Sequence, residues 1–216
     1  MAHRSDLEAL PAAYRDFHDA LARVLPAGRL VADPLRTFAF GTDASFYRLV
    51  PKLVVRPRDL RELSAVLAAA AARGIPLTFR AAGTSLSGQA VTDSVLVQLD
   101  GWKGRRIVDG GAAVVLEPGV VGADANALLA PLGRKIGPDP ASIGACQVGG
   151  IAANNASGMC CGTAQNSYRT VQAMKLVLAD GTLVDTADPQ QRRGLRETHG
   201  SLLDGLAALR REILAD

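Results

Sequence analysis

The stretch from residue 51 to residue 99 limits the fold most, because apolar runs alternate in it with one amphipathic helix and one glycine-rich loop. "PKLVVRP" and "IPLTF" are typical of short buried strands, and "RDLRELSAVLAAAAARG" between them has helical periodicity. Asp59 and Glu62 resemble an N-cap pair, and Gly74 follows the helix. The order predicts a β-α-β unit with a ligand-binding loop at the carboxyl end of its second strand. The residues predicted to share the apolar face of the helix are Leu60, Leu63, Leu67 and Ala70.

Turn chemistry predicts two β-hairpins beyond this unit. "RRIVD" and "AAVVLEPG" flank Gly110-Gly111, and a second alternating pair turns at Asp180-Gly181. "SVLVQLD" has the pattern of a further strand. Helical spacing occurs in residues 1–30, in "GADANALLAPLG" up to Gly133, and from Pro189 onward. These patterns predict a β-α-β part followed by two hairpins and further helices.

Composition excludes several classes of function. The formal net charge of +3 and the aromatic content of 4% are too low for a nucleic-acid surface. The longest apolar run, Ala65 to Ala72, is far shorter than the ~20 residues that cross a bilayer, and the first residues lack the apolar segment of a signal peptide. We therefore expect no nucleic-acid partner, no transmembrane segment and a cytoplasmic location, with peripheral attachment to the inner membrane left open. Three cysteines predict neither a disulfide framework nor a metal site.

The loop "RAAGTSLSGQA", Arg80 to Ala90, has the chemistry of a phosphate cradle. Gly83 and Gly88 are spaced as in a nucleoside-triphosphate loop, but Gln89 and Ala90 replace the lysine and the hydroxyl residue that phosphoryl transfer needs. The G-x-G-x-x-G fingerprint of nicotinamide sites is absent as well. A pyrophosphate that takes no part in the reaction can be held by backbone N–H groups alone, and the loop suits that ligand.

A second unusual segment contains no Asp, Glu, Lys or Arg from Pro140 through Tyr168 and is rich in glycine. Its neutrality predicts a buried backbone that approaches a ligand closely, and disorder is the alternative. Gln147–Ala153 is predicted as a short helix whose amino end offers free N–H donors to a phosphate. Two such segments in one chain indicate a ligand with several parts, namely a dinucleotide.

Both segments resemble those of FAD-linked oxidases of the vanillyl-alcohol-oxidase type, which carry the PCMH-type flavin domain. "FRAAGTSLSGQAVTDSVLVQL" is similar to that family's pyrophosphate loop. "GPDPASIGACQVGGIAANNASGMCCGTAQNSYRTVQAMKLVLADGTLVDT" resembles its second flavin-contacting region and the strands that follow. Within the family, the resemblance extends to D-lactate and D-2-hydroxyacid dehydrogenases that are fused to iron–sulfur domains.

The resemblance implies a set of FAD-binding residues. Those expected to surround the pyrophosphate are Arg80, Ala81, Ala82, Gly83, Thr84, Ser85, Gly88 and Gln89. Those expected to line the flavin and ribitol are Pro138, Asp139, Ser142, Gly144, Gly149, Gly150, Asn154 and Ser157. The family usually has glycine at the positions of Ala81 and Ala82, so either these sites do not need positive φ or the loop is altered here.

The same resemblance implies non-covalent FAD, because His3, His18 and His199 all lie outside both motifs. Cys146 is left open as a thioether site. No residue qualifies as a general base, and we expect no catalytic residue and no metal ligand in this chain.

The resemblance implies an α+β fold of the PCMH type, in which a small β-α-β part precedes a mostly antiparallel part with helices. We expect a helical lead-in over residues 1–49, a first FAD-binding subdomain over residues 50–100, and a second, incomplete one with a helical tail over residues 101–216. The resemblance implies the amino-terminal portion of an enzyme that oxidises a D-2-hydroxyacid such as D-lactate or 2-hydroxyglutarate. Its substrate site would lie outside this chain, and its electrons would pass to an iron–sulfur or membrane acceptor. Two alternatives stay open: a stand-alone flavin-binding module that docks on a catalytic partner, and an α+β domain whose site has decayed.

Overall fold

The computed structural model describes residues 4–215, and its internal contacts divide the chain into two units, residues 1–170 and residues 171–216. Residues 1–3 of the predicted amino-terminal helix lie outside the described residues. The α+β fold class is confirmed, since helices and both parallel and antiparallel strand pairs are present. The expected borders at residues 49 and 100 both fall inside the first unit and stay predictions.

A four-stranded sheet forms the core of the first unit. Its strands are β1 (Leu30–Val31), β2 (Leu53–Val55), β3 (Leu77–Arg80) and β4 (Val95–Gln98). The predicted β-α-β unit is present, but β4 lies between β2 and β3 and is parallel to both. Residues 95–97 are fully buried, which suits a central strand covered on both faces and paired on both edges.

Four α-helices lie within residues 4–71, and a proline stands at the N-cap of the second. The helices are α1 (Arg4–Glu8), α2 (Ala12–Ala22), α3 (Pro34–Ala39) and α4 (Leu60–Ala71), of which α2 packs on α4. The prediction of continuous helical structure over residues 1–30 is wrong, because Pro11 cannot continue a helix and stands at the N-cap of α2. Phe17 and Leu21 of α2 are buried.

The amino end of α4 has the predicted cap. The Asp59 side chain accepts a hydrogen bond from the Glu62 N–H at 2.8 Å. The buried Glu62 carboxylate in turn accepts from the Arg58 N–H and from the Arg29 guanidinium, which satisfies a charge that would otherwise be costly inside the protein. The predicted apolar face needs one correction: Leu60, in the first turn, is partly exposed, and Val66 is buried instead.

The rest of the first unit contains the predicted hairpin and three short helices. These elements are β5 (Arg105–Val108), β6 (Ala113–Leu116), α5 (Gly122–Leu129), α6 (Val148–Ala153) and α7 (Ser167–Thr170). The hairpin turns through Gly110 and Gly111, which both have positive φ, and its strands are antiparallel. A single turn after α5 ends at Gly133 in the left-handed conformation, as the sequence predicts.

The second unit is a hairpin followed by two helices. Its elements are β7 (Lys175–Val177), β8 (Leu183–Asp185), α8 (Pro189–Thr198) and α9 (Gly200–Ala215). The predicted turn at Asp180-Gly181 is confirmed, with Gly181 at φ +87°. Among the described residues of this unit, Val184 alone is buried, so the unit has little apolar core of its own.

The hairpin turn of the second unit is expected to respond to acid. The backbone N–H of Thr182, together with the His199 side chain, lowers the pKa of Asp180 from 3.8 to about 2. A carboxyl group whose pKa is lowered in the folded state stabilises the fold at pH values above its ordinary pKa of 3.8. This contribution is lost as the pH falls toward 2. Protection of the Thr182 amide against hydrogen exchange should therefore fall between about pH 4 and pH 2. Asp180→Asn should abolish that pH step; an unchanged step would contradict the assignment to Asp180.

Candidate functional site

The predicted phosphate loop begins at the carboxyl end of β3, and the Arg80 side chain at its start bonds to Ala90 at its end. The Arg80 guanidinium is buried and donates from Nε to the Ala90 carbonyl at 2.8 Å, and also from Nη2. Burial lowers the pKa of Arg80, and the nearby Asp43 carboxylate opposes part of that shift. Arg80 therefore joins the two ends of the loop, and its guanidinium is engaged by the protein itself.

The loop presents a row of unused backbone donors. Within residues 4–215, the N–H groups of residues 82 to 86 have no protein acceptor within hydrogen-bond distance, while the Ser87 N–H donates to Ser85 Oγ. Gly83 and Gly88 both adopt φ +73°, which reverses the chain direction around these donors. Five successive free N–H groups give the loop the donor set that an anionic oxygen requires.

The two alanines of the loop have ordinary backbone conformations. Among the described residues, the only non-glycine residues with positive φ are Asp109 and Asn155. Ala81 and Ala82 therefore carry no left-handed strain in this loop.

The second segment reaches the phosphate loop through α6. A Cβ placed on Gly150 would lie 3.7 Å from Ala81 Cβ, which is ordinary packing contact. Gln89 Nε2 donates to Asn154 Oδ1 at 3.3 Å, and Ser85 Oγ donates to Gln89 Oε1. The fold thus brings together two predicted site segments that are more than sixty residues apart in the sequence.

The predicted phosphate contact at the amino end of α6 needs correction. The helix is present, but the Val148 N–H donates to the Val120 carbonyl and the Gly149 N–H to the Pro118 carbonyl, both at 2.9 Å. These two donors are therefore not free for a ligand. Gly149 is required for a different reason, since a Cβ there would lie 2.7 Å from Pro118 Cβ.

The remaining predicted residues lie in turns beside α6. A Cβ on Gly158 would lie 1.5 Å from the Asp139 carbonyl oxygen, so these two backbones touch, and Pro138 beside them is buried. Ser142 accepts from the Cys146 N–H through its carbonyl, and Ser157 Oγ donates to the Asn155 carbonyl. Gly144 is exposed. Among the described residues, no hydrogen bond joins the phosphate loop to Pro138, Asp139, Ser142, Gly144 or Ser157.

Two of the three cysteines are buried, as expected of small apolar residues, and Cys160 is exposed. The Cys161 thiol sits in the turn that meets Asp139. Its pKa is lowered, first by the Gly158 backbone hydrogen bond. The contact ties residues 158 and 161 together and gives the thiol a structural role in this turn.

Residues 44 to 49, which the sequence analysis assigns to the helical lead-in, also contact the phosphate loop. The Ala44 N–H donates to the Gly83 carbonyl at 3.0 Å, and the Tyr47 ring packs against Gly88. Beside this contact, Tyr47, Arg48 and Leu49 face Ser87, Gly88 and Val91 across an open groove of about 280 Å³. The cluster of Asp, Ser, Tyr and Arg in "TDASFYRLVP", directly before β2, is the signal that could have indicated it.

The donors and acceptors of this site fit FAD. The free loop N–H groups suit pyrophosphate oxygens, and three buried acceptors in the described chain lack a donor: Asp43 Oδ2, Gln98 Oε1 and Gln147 Oε1. FAD carries ribose and ribityl hydroxyls and an imide N–H that can donate to such oxygens. Buried polar atoms in native proteins are nearly always hydrogen-bonded, and of these three oxygens Asp43 Oδ2 belongs to a residue beside the phosphate loop, where a ligand hydroxyl would satisfy it.

An α+β fold whose glycine loop and second neutral segment meet in this way defines a dinucleotide-binding flavoprotein domain. The sequence profile of the FAD binding domain family matches residues 51–187, and the chain belongs to that family. Its cofactor is FAD. The fold agrees with solved structures: alkyldihydroxyacetonephosphate synthase has a TM-score of 0.72 at 16% identity, covering 85% of this chain and 38% of that chain. A Phl p 4 variant described as a glucose oxidase has a TM-score of 0.68 at 18% identity, covering 81% of this chain and 38% of that one.

Curated relatives are oxidoreductases. The glycolate oxidase subunit GlcD of Escherichia coli (strain K12) is 36% identical over 120 residues, which are 54% of this chain and 24% of that protein. The D-2-hydroxyglutarate dehydrogenase of Pantoea ananatis (strain AJ13355) is 28% identical over 153 residues, which are 68% of this chain and 15% of that protein. The chain therefore spans a quarter or less of the length of these relatives.

Two further properties concern the described part of the chain. None of its helices combines the length and the apolar character needed to span a bilayer. No group of three or more His, Cys, Asp or Glu side chains in residues 4–215 is arranged to hold a metal ion.

Proposed function

We propose that this chain is the FAD-binding part of a flavin-dependent dehydrogenase that oxidises a D-2-hydroxyacid of the D-lactate or 2-hydroxyglutarate type. The relatives named for glycolate and D-2-hydroxyglutarate support the substrate class. The observation that carries the proposal is the junction of Gln89 with Asn154, because it joins the phosphate loop to the second segment at one site. Electrons would pass to an iron–sulfur or membrane acceptor, as in the family that the sequence resembles.

The residues of this chain would bind and orient the cofactor. The N–H groups of residues 82 to 86 would donate to the pyrophosphate, and Arg80 would hold the loop closed around it. Gln89 and Asn154 would fix the loop against α6, whose Gly149 and Gly150 allow close packing. Bound FAD supplies the two-electron acceptor for the carbon that carries the substrate hydroxyl.

We assign no catalytic residue to this chain. His18 contacts Asp19 in α2, and His199 contacts Asp180 in the second unit, so both described histidines have a carboxylate partner. The base that accepts the substrate proton, the substrate pocket and the acceptor site would lie outside this chain. FAD would be held without a covalent bond, because His3, His18 and His199 all lie outside the two FAD-binding segments.

The experiment that tests this proposal is a visible absorption spectrum of the purified chain after FAD is added and free ligand is removed on a desalting column. We expect flavin bands that stay with the protein. The dissociation constant for FAD should be micromolar or lower, and a micromolar value corresponds to a binding free energy of about −8 kcal/mol. The protein is then denatured and precipitated. Flavin bands that remain in the supernatant would show that the flavin is released and is not covalently attached. A colourless protein after desalting would overturn the claim that these residues suffice to hold FAD.

Replacing Ala81 and Ala82 with glycine is expected to change the affinity for FAD by less than about threefold, because neither position has positive φ. The same double change should lower the free energy of unfolding by about 1–2 kcal/mol, since two glycines increase the freedom of the unfolded chain. Fluorescence titration and urea unfolding measure the two quantities. An affinity gain of several orders of magnitude would instead support the decayed-site alternative.

A further inference from the structure

The segment from Asp43 to Leu49 precedes the family match, which begins at residue 51, yet it packs directly on the phosphate loop. The Ala44 N–H donates to the Gly83 carbonyl at 3.0 Å, and a Cβ placed on Gly83 would lie 3.6 Å from Asp43 Cβ. Asp43 therefore lies beside the glycine at which the loop reverses direction. Neither the sequence motifs nor the matched region assigns it a role.

One oxygen of the Asp43 carboxylate is satisfied and the other is not. Oδ1 accepts from the Ser45 N–H at 2.8 Å, which makes a local turn. Oδ2 is buried, and no donor in the described part of the chain lies within hydrogen-bond distance. Arg80 is close enough to attract the carboxylate, but it donates to the Ala90 carbonyl. A buried carboxylate oxygen without a donor is costly, so its retention calls for a partner.

We propose that Asp43 is a binding residue that accepts a hydrogen bond from a hydroxyl of the bound dinucleotide; the assignment rests on the proposed function. A phosphate cannot take this position, because its charge would be repelled by the carboxylate. The hydroxyl-bearing parts of FAD are the ribose of its adenosine half and the ribityl chain of its flavin half, and both offer the same chemistry. The Asp43 carboxylate would accept from a hydroxyl of the ligand, and the free N–H groups of the loop would donate to its phosphates. The two together would fix which part of the ligand lies beside Gly83.

The test compares Asp43→Asn with wild type by titration of FAD, and uses the exposed Asp93→Asn as a control of equal charge. Asparagine keeps one oxygen for the Ser45 N–H and removes the charged acceptor. We expect the dissociation constant for FAD to rise about tenfold or more in Asp43→Asn and to stay unchanged in Asp93→Asn. The thermal midpoint of the free chain should be nearly the same in all three proteins. Asp43→Ser, which also keeps a turn-forming oxygen, should show the same loss.

Two fragments of the cofactor identify the source of the hydroxyl. A loss of affinity in Asp43→Asn for ADP points to the ribose, and a loss for riboflavin 5′-phosphate points to the ribityl chain. Equal losses for ADP, riboflavin 5′-phosphate and inorganic pyrophosphate, together with a lower thermal midpoint, would overturn the assignment in favour of a structural role. Wild-type affinity for FAD in Asp43→Asn would overturn it as well. A wild-type chain that takes up no FAD would instead overturn the proposed function, and this assignment with it.

Discussion

A chain in which Gly88 is replaced by alanine is expected to bind FAD roughly a hundredfold more weakly than the wild type, which corresponds to about 2.7 kcal/mol. Gly88 has φ +73°, and a Cβ there would lie 2.7 Å from Tyr47 Cδ2. Because that distance is too short, either the Tyr47 ring or the phosphate loop must move. A displaced loop would lose one or two hydrogen bonds to the charged pyrophosphate, each worth about 1.5–3 kcal/mol. Fluorescence titration with FAD measures the effect.

Gly74→Ala is the matched control for this prediction. Gly74 has a similar φ of +61°, but no heavy atom lies within 4 Å of a Cβ placed there. We expect it to lower the free energy of unfolding by about 1 kcal/mol through backbone strain alone, with the affinity for FAD unchanged. If Gly74→Ala and Gly88→Ala affected FAD binding equally, the contact with Tyr47 would not be the cause. Adding Tyr47→Ala to Gly88→Ala should restore part of the affinity.

Gly158→Ala is expected to have the largest effect on stability, lowering the free energy of unfolding by more than about 3 kcal/mol. A Cβ on Gly158 would lie 1.5 Å from the Asp139 carbonyl oxygen, and neither atom can rotate away, because the carbonyl is part of the backbone and a Cβ is fixed to it. The turn held by the Cys161 thiol must then open. Urea unfolding followed by circular dichroism measures the loss, and the affinity for FAD should fall with it.

Gly144→Ala is the control within the same segment. Gly144 has no heavy atom within 4 Å of a placed Cβ and does not have positive φ, so its replacement should change the free energy of unfolding by less than about 0.5 kcal/mol. If Gly158→Ala were as stable as Gly144→Ala, the close approach of residues 139 and 158 would not exist in solution.

The elements that the sequence predicts well are those with local causes. The apolar period of α4 and the Asp59 cap act within one or two turns of helix, and the glycines at 110, 111 and 181 set their turns by their own conformational freedom. The break at Pro11 is also local and was readable, although the periodicity of the surrounding leucines obscured it. The central position of β4 has no local signal, because residues 53–55 and 95–97 are equally apolar.

The candidate site also has some features with local sequence signals and others that depend on tertiary contacts. The phosphate loop is readable from its glycine spacing and from the absence of lysine, since both are properties of a short segment. The donors at the amino end of α6 were predicted to be free, yet carbonyls of residues 118 and 120 accept from them. Asp43 and Tyr47 belong to the site only because residues 43–49 fold back on the loop.

Local sequence therefore predicts the β-α-β unit, the hairpin turns and the phosphate-binding character of the loop, because each depends on backbone freedom and charge within a short segment, whereas the fold family and FAD followed from the resemblance. Tertiary structure decided which backbone donors are free, which carboxylate oxygen lacks a donor and which glycine cannot accept a side chain. Those properties depend on atoms that are distant in sequence and adjacent in space, as in the pairs Gly88 with Tyr47 and Gly158 with Asp139. Hydrogen bonding and packing are pairwise and short-ranged, so they are set only once the chain has folded.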